Sequence, residues 1–79
     1  LNQETFILYL KKPIENGSFE AARRFQPVRV DEKTIEVTVK DGETLSQLIA
    51  ALAENQVEVL SMRTKSNRLE QIFVGLTSQ

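Results

Sequence analysis

Carboxylates stand close together at two places in this 79-residue chain, Asp31-Glu32 and Asp41 with Glu43. Paired acids can serve as proton donor and acceptor when their surroundings push their pKa values apart. Both pairs fall in turn-like contexts, one before Lys33 and one around Gly42, where solvated acidic residues are the common outcome. Ser18, Ser46, Ser61, Ser66 and Ser78 have no His to activate them, and none stands in a nucleophile-elbow motif. The chain has no His and no Cys, which excludes thiol chemistry, disulfides, His-ligated metals and histidine acid–base catalysis. A phosphate-cradling loop of the form Gly-x-x-x-x-Gly-Lys-Ser/Thr is absent from the sequence, and Gly17, Gly42 and Gly75 are too few for a Gly-rich nucleotide loop. An ion site would need more oxygen ligands than these turns offer. The expectation is a chain with no catalytic, cofactor-binding or metal-binding residue of its own.

Basic residues cluster twice, as Arg23-Arg24 with Arg29 and as Arg63, Lys65 and Arg68. Either cluster could meet phosphates, but aromatic residues for base stacking are scarce and no ribonucleoprotein-type aromatic motif is present. Ten Lys and Arg against eleven Asp and Glu leave a net charge of -1, so no long-range field draws the chain toward nucleic acid or anionic lipid. Solvated surface is the simplest reading of both clusters. The second cluster falls between the expected last strand and last helix, which makes Arg63, Lys65 and Arg68 the candidate surface for contact with a neighbouring domain. Arg68 lies in the first turn of that helix, where the macrodipole favours anions, and an acidic partner surface would offset the mismatch.

The elements that would position these residues follow from periodicity. Thr5–Leu10 is rich in aromatic and β-branched residues and apolar on both faces, which predicts a central strand ending at Lys11-Lys12-Pro13. Asn16-Gly17 signals a turn, and Ser18–Phe25 carries a weak helical pattern with Ser18 as N-cap, which a loop would satisfy as well. Pro27–Val30 and Thr34–Val39 flank Asp31-Glu32-Lys33 and read as a hairpin, with Ile35, Val37 and Val39 on one face and Glu36, Thr38 and Lys40 on the other. After Asp41-Gly42-Glu43 the period changes to 3.6. Leu45, Leu48, Ile49 and Leu52 form a stripe expected in the core, Thr44 with Gln47 matches a capping box, and Asn55 is the stop. Val57–Met62 reads as the next strand. Asn67 with Glu70 is a second capping-box candidate, ahead of Leu69, Ile72, Phe73 and Leu76 at helical spacing.

Together these predict an α+β domain in the ferredoxin-like order β-α-β-β-α-β, its first helix weak or replaced by a loop, with an added C-terminal helix. That last helix must bury its stripe on its own sheet or on a partner. With 41% hydrophobic and 27% charged residues the chain has globular rather than disordered composition, and its length allows one core. Opening at Leu1 directly into a strand-like run, without a signal-peptide pattern or an apolar run of membrane-spanning length, it reads as a piece of a larger cytosolic protein.

The stretch from Val57 to Leu76 closely resembles the end of ATP-binding subunits of bacterial ABC exporters, the class for drug or polysaccharide export. Those subunits often finish with a strand, a short basic turn and a helix of the form Leu-Glu-acidic-aliphatic-Phe-x-x-Leu. Leu69-Glu70-Gln71-Ile72-Phe73-Val74-Gly75-Leu76 fits, with Gln71 in place of the acidic residue, and Glu4–Leu8 looks like the first strand of the same accessory domain. The resemblance implies that residues 1–79 are a single C-terminal accessory domain of a larger ATPase subunit. ATP and Mg would belong to the upstream domain, and no ATP-site residue carries over to this chain. Its implied partners are the upstream ATPase domain of the same chain, a second ATPase subunit and a transmembrane permease, on the cytoplasmic side of the bacterial inner membrane, peripherally and without insertion. Nucleic acid is not among them. The alternative is a ferredoxin-like small-ligand-sensing domain, which would favour a Gly-rich turn after the first strand where this chain has Lys11-Lys12-Pro13.

Overall fold

A computed structural model describes residues 3–65. They form an α+β unit in the order β1 (Gln3–Leu10), α1 (Asn16–Ala21), a 3₁₀ turn (Arg23–Phe25), β2 (Val28–Asp31), β3 (Thr34–Lys40), α2 (Leu45–Glu54) and β4 (Val59–Thr64). The four strands make one antiparallel sheet in the order β2-β3-β1-β4. The doubly apolar β1 lies inside the sheet, as its composition predicts. The final helix expected over Leu69–Leu76 lies outside the described residues.

Alternation sorts the side chains onto two faces. Phe6, Leu8 and Leu10 of β1 stand opposite Val37, Ile35 and, on β4, Val59, and this face carries the core. Ile14, Ala22 and Phe25 close over it from the α1 side, and Leu48 and Leu52 from α2. Both helices and the 3₁₀ turn therefore pack on one face. The other presents Thr5, Ile7 and Tyr9 of β1 in register with Thr38, Glu36 and Thr34 of β3.

Local chemistry sets the boundaries. Lys40–Glu43 is a turn closed by the Glu43 amide donating to the Lys40 carbonyl, and Gly42 takes φ 87° at its third position, where a side chain would be strained. The predicted capping box is present: the Gln47 amide donates to Thr44 Oγ1 and the Thr44 amide to Gln47 Oε1. Asn55 caps the far end as expected. The left-handed position is Gln56 (φ 59°), and the amides of Gln56 and Val57 donate back to the carbonyls of Ala53 and Leu52 in a Schellman closure.

Five expectations need correction. Asn16-Gly17 is not a turn but the first residues of α1. Ser18 is therefore not an N-cap, and its hydroxyl donates instead to the Asn55 carbonyl, tying α1 to the end of α2. The helix 18–25 is two short pieces that divide at Ala22 (φ -90°, ψ 6°), and Gln26 closes the second with a left-handed φ of 50°. The stripe on α2 is only half core, since Leu48 is 0% exposed and Leu52 buried, whereas Leu45 and Ile49 are each 36% exposed. Finally, β4 begins at Val59 rather than Val57, whose amide is used in closing α2, and it runs on to Thr64.

The hairpin between β2 and β3 turns through Glu32-Lys33, neither with positive φ, so it is not the mirror-image turn whose twist matches paired strands. A bulge between Arg29 and Asp31 absorbs the difference, and Asp31 Oδ1 accepts the Lys33 amide. A second bulge, in β4 opposite Tyr9 and Leu10, leaves Leu60 exposed.

Candidate functional site

The later boundary of β4 moves the predicted basic cluster. Arg63 lies within the strand, not in a turn after it, and Lys65 follows at once with its amide still donating to the Thr5 carbonyl at 2.9 Å. Residues two apart on a strand share a face, so both belong to the face that the helices leave open. Arg68 lies outside the described residues.

Three rows cross this face. Asp31, Thr34, Tyr9 and Ser61 form one, Val28, Glu36, Ile7 and Arg63 the next, and Thr38 and Thr5 the third, with Lys65 beyond. Side chains connect the rows diagonally. Arg63 Nε donates to the Tyr9 hydroxyl at 2.9 Å, and Lys65 Nζ reaches across β1 to Glu36 Oε1 at 2.9 Å. The hydroxyls of Thr5 and Thr38 meet at 3.3 Å. Ile7 is the half-buried apolar centre of this polar frame. Among the described residues Arg63 makes no ion pair, so its charge is available to an outside acceptor. The Lys65–Glu36 pair is partly exposed, and such pairs contribute at most about 1 kcal/mol, so a competing carboxylate could draw Lys65 away.

The other basic cluster does not converge. Arg24 spans from the 3₁₀ turn to α2, with Nε 3.1 Å from Glu43 Oε2 and Nη2 donating to Gln47 Oε1. Arg29 donates to the Ile14 carbonyl and to Asn16 Oδ1, its guanidinium 4.7 Å from the Phe19 ring centre. Arg24 and Arg29 thus hold different connections of the fold.

Asp31 and Glu43, one acid from each turn pair, likewise have structural partners. Asp31 fixes the hairpin. Glu43 Oε1 accepts the Lys40 amide at 2.9 Å, and this bond, with help from Arg24, holds its carboxyl below the ordinary glutamate range. Among the described residues no three acidic, His or Cys side chains gather as a metal site would require. None of the described helices is long and apolar enough to cross a membrane.

Sequence reasoning missed Tyr9 and Glu36 as members of this face. Alternation already placed Glu36 with Thr38 and Lys40. What it could not supply was the strand order that sets β4 beside β1. No protein-family model matches the chain, and no solved structure matches it.

Proposed function

We propose that this chain is a docking module: the C-terminal accessory domain of an ABC exporter's ATP-binding subunit, working through the open face of its sheet. The observation that carries the proposal is the meeting of Arg63 and Lys65 on the face that the described helices leave open, framed by Tyr9, Glu36 and the Thr5–Thr38 pair around Ile7. A half-exposed, mixed-polarity sheet face, with a guanidinium that makes no ion pair among the described residues, suits an acidic protein surface rather than a small substrate. The resemblance of Val57–Leu76 to exporter ATPase ends supplies the partners: the upstream ATPase domain, the second ATPase subunit and the permease, at the cytoplasmic side of the inner membrane. ATP and Mg stay with the upstream domain. The element order together with the sheet order β2-β3-β1-β4 supports the ferredoxin-like reading of the fold.

The test is charge reversal in the full-length subunit, Arg63→Glu with Lys65→Glu, reading subunit association and transport-coupled ATPase rate. Both should fall, with the far-ultraviolet circular dichroism of the domain unchanged. Unchanged association and rate in a folded variant would return this face to ordinary solvated surface.

A second reading, small-ligand sensing, is favoured by a cleft of about 320 Å³ where β1 meets α1, lined by Lys11, Lys12, Ser18, Asn55 and Glu58 among others. It predicts amide shifts at Lys11–Ser18 when small carboxylates are added to the isolated chain.

A further inference from the structure

The half of the α2 stripe that misses the core does not face open water alone. Leu45, Ile49 and Ala53 follow one another along one line of the helix. Ile49 and Ala53 line a groove of about 720 Å³ with Val57, Val59, Leu60 and Met62, and the polar Gln56, Glu58 and Ser61 complete its lining. Leu45 continues the α2 wall through a shallower depression that shares Ile49 and Ala53. The sheet therefore leaves a predominantly apolar channel between α2 and the edge strand β4.

We propose that the channel is filled by this chain's own segment Leu69–Leu76, seated through Leu69, Ile72, Phe73 and Leu76. Three observations choose this occupant. The first is position: β4 ends where β1 begins, with Thr64 opposite Phe6, and β3 ends at that same end, with Lys40 opposite Gln3. The start of α2 lies there too, because Leu45 borders the same depression as Gln3 and Phe6. A chain leaving Lys65 thus emerges beside the mouth of the channel, and Ser66-Asn67-Arg68 is a connection of ordinary length for reversing direction. The second is length: as a helix, Leu69 to Leu76 rises about 10 Å, against about 12 Å from Leu45 to Ala53. The third is chemistry. The open sheet face, the other surface within reach, carries Glu36, Arg63 and Lys65 and does not suit an apolar stripe. A tethered segment also has a large advantage over a free one, with an effective concentration near the millimolar range for a short link.

This seating leaves the opposite face of the sheet clear, so it stands or falls independently of the docking reading above. The 9.0 kDa chain is within reach of methyl nuclear magnetic resonance. In the full 79-residue chain the Ile49 δ1 methyl should show Overhauser contacts to the Phe73 ring or the Ile72 methyls. An isotope-filtered experiment on a mixed labelled and unlabelled sample should show these contacts to be intramolecular. Contacts that survive the intermolecular filter would put a second copy in the channel, and absence of contacts from Ile49, Ala53 and Met62 to residues 69–76 would leave it without this occupant; either overturns the proposal. A double-mutant cycle gives a second measure. Phe73→Ser should weaken the folding equilibrium at least about threefold less in an Ile49→Ser background than in the parent, as expected of residues in contact. Effects that multiply independently would count against the seating.

Discussion

Replacing Leu48 by Ala probes the joint between α2 and the sheet. Leu48 is 0% exposed and belongs to one cluster with Leu8, Phe25, Ile35, Val37 and Leu52. The change removes three carbons from a fully buried site, about 2.4 kcal/mol of transfer free energy at ~0.8 kcal/mol per methylene. The cavity left behind adds to this, so the total belongs in the range of about 2.7–5 kcal/mol measured for buried Leu→Ala changes. Alanine's slightly better helix propensity returns only a few tenths of a kcal/mol. Domains of this size are stable by roughly 4–12 kcal/mol, so the variant should lose a large share of its folding free energy. Its melting temperature should fall by more than about 10 °C, at 4–8 °C per kcal/mol. Val28→Ala is the control: Val28 is 56% exposed on the edge strand β2, and losing two half-covered methyls should cost about 1 kcal/mol or less. Urea unfolding followed by circular dichroism compares the two on one scale. Equal midpoint shifts for Leu48→Ala and Val28→Ala would refute the assigned packing of α2.

Two further perturbations address local structure. Because the Glu43 carboxyl is held below its ordinary range, mainly by the Lys40 amide, the unfolded chain binds its proton more readily than the folded one. Its stabilising effect is therefore complete above the ordinary glutamate pKa and is lost as the pH falls through the lower folded value; Glu43→Gln should flatten this acid limb, and an unchanged slope of stability against pH would contradict the assignment. Gln56→Gly relieves a side chain held at φ 59° in the closure of α2 and should raise stability by about 0.5–1 kcal/mol in urea unfolding, with no gain if that backbone is unstrained.

What the sequence made legible was local. Thr44 and Gln47 are three residues apart, so their capping box could be read directly, as could the alternation of Ile35 and Val37 against Glu36 and Thr38. The short α1 could not be, since six residues are too few to show a helical period and Ser18 is committed to a tertiary bond with Asn55. The stripe Leu45-Leu48-Ile49-Leu52 is apolar throughout, yet one sheet face covers only the arc with Leu48 and Leu52, and periodicity does not say how wide the covering surface is. Arg63 and Lys65 were legible as basic residues two apart. Their partners Tyr9 and Glu36 are 54 and 29 residues away and depend on β4 pairing with β1, which no local pattern encodes. Val28 stays exposed because it stands opposite Glu36 on the face that the helices leave open, whereas Arg29, opposite Ile35 on the covered face, lays its guanidinium over the Phe19 ring.

The central claim is that the open sheet face is the surface on which this domain meets an ATPase. The most direct measurement is an amide and methyl shift titration of the labelled 79-residue chain with the ATPase domain of its own subunit, supplied separately. The account predicts shifts concentrated at Thr5, Ile7, Tyr9, Glu36, Arg63 and Lys65, weakened by salt and abolished by Arg63→Glu with Lys65→Glu. Shifts confined to α1, α2 and the β1–α1 cleft, or none at saturating ATPase domain, would contradict it.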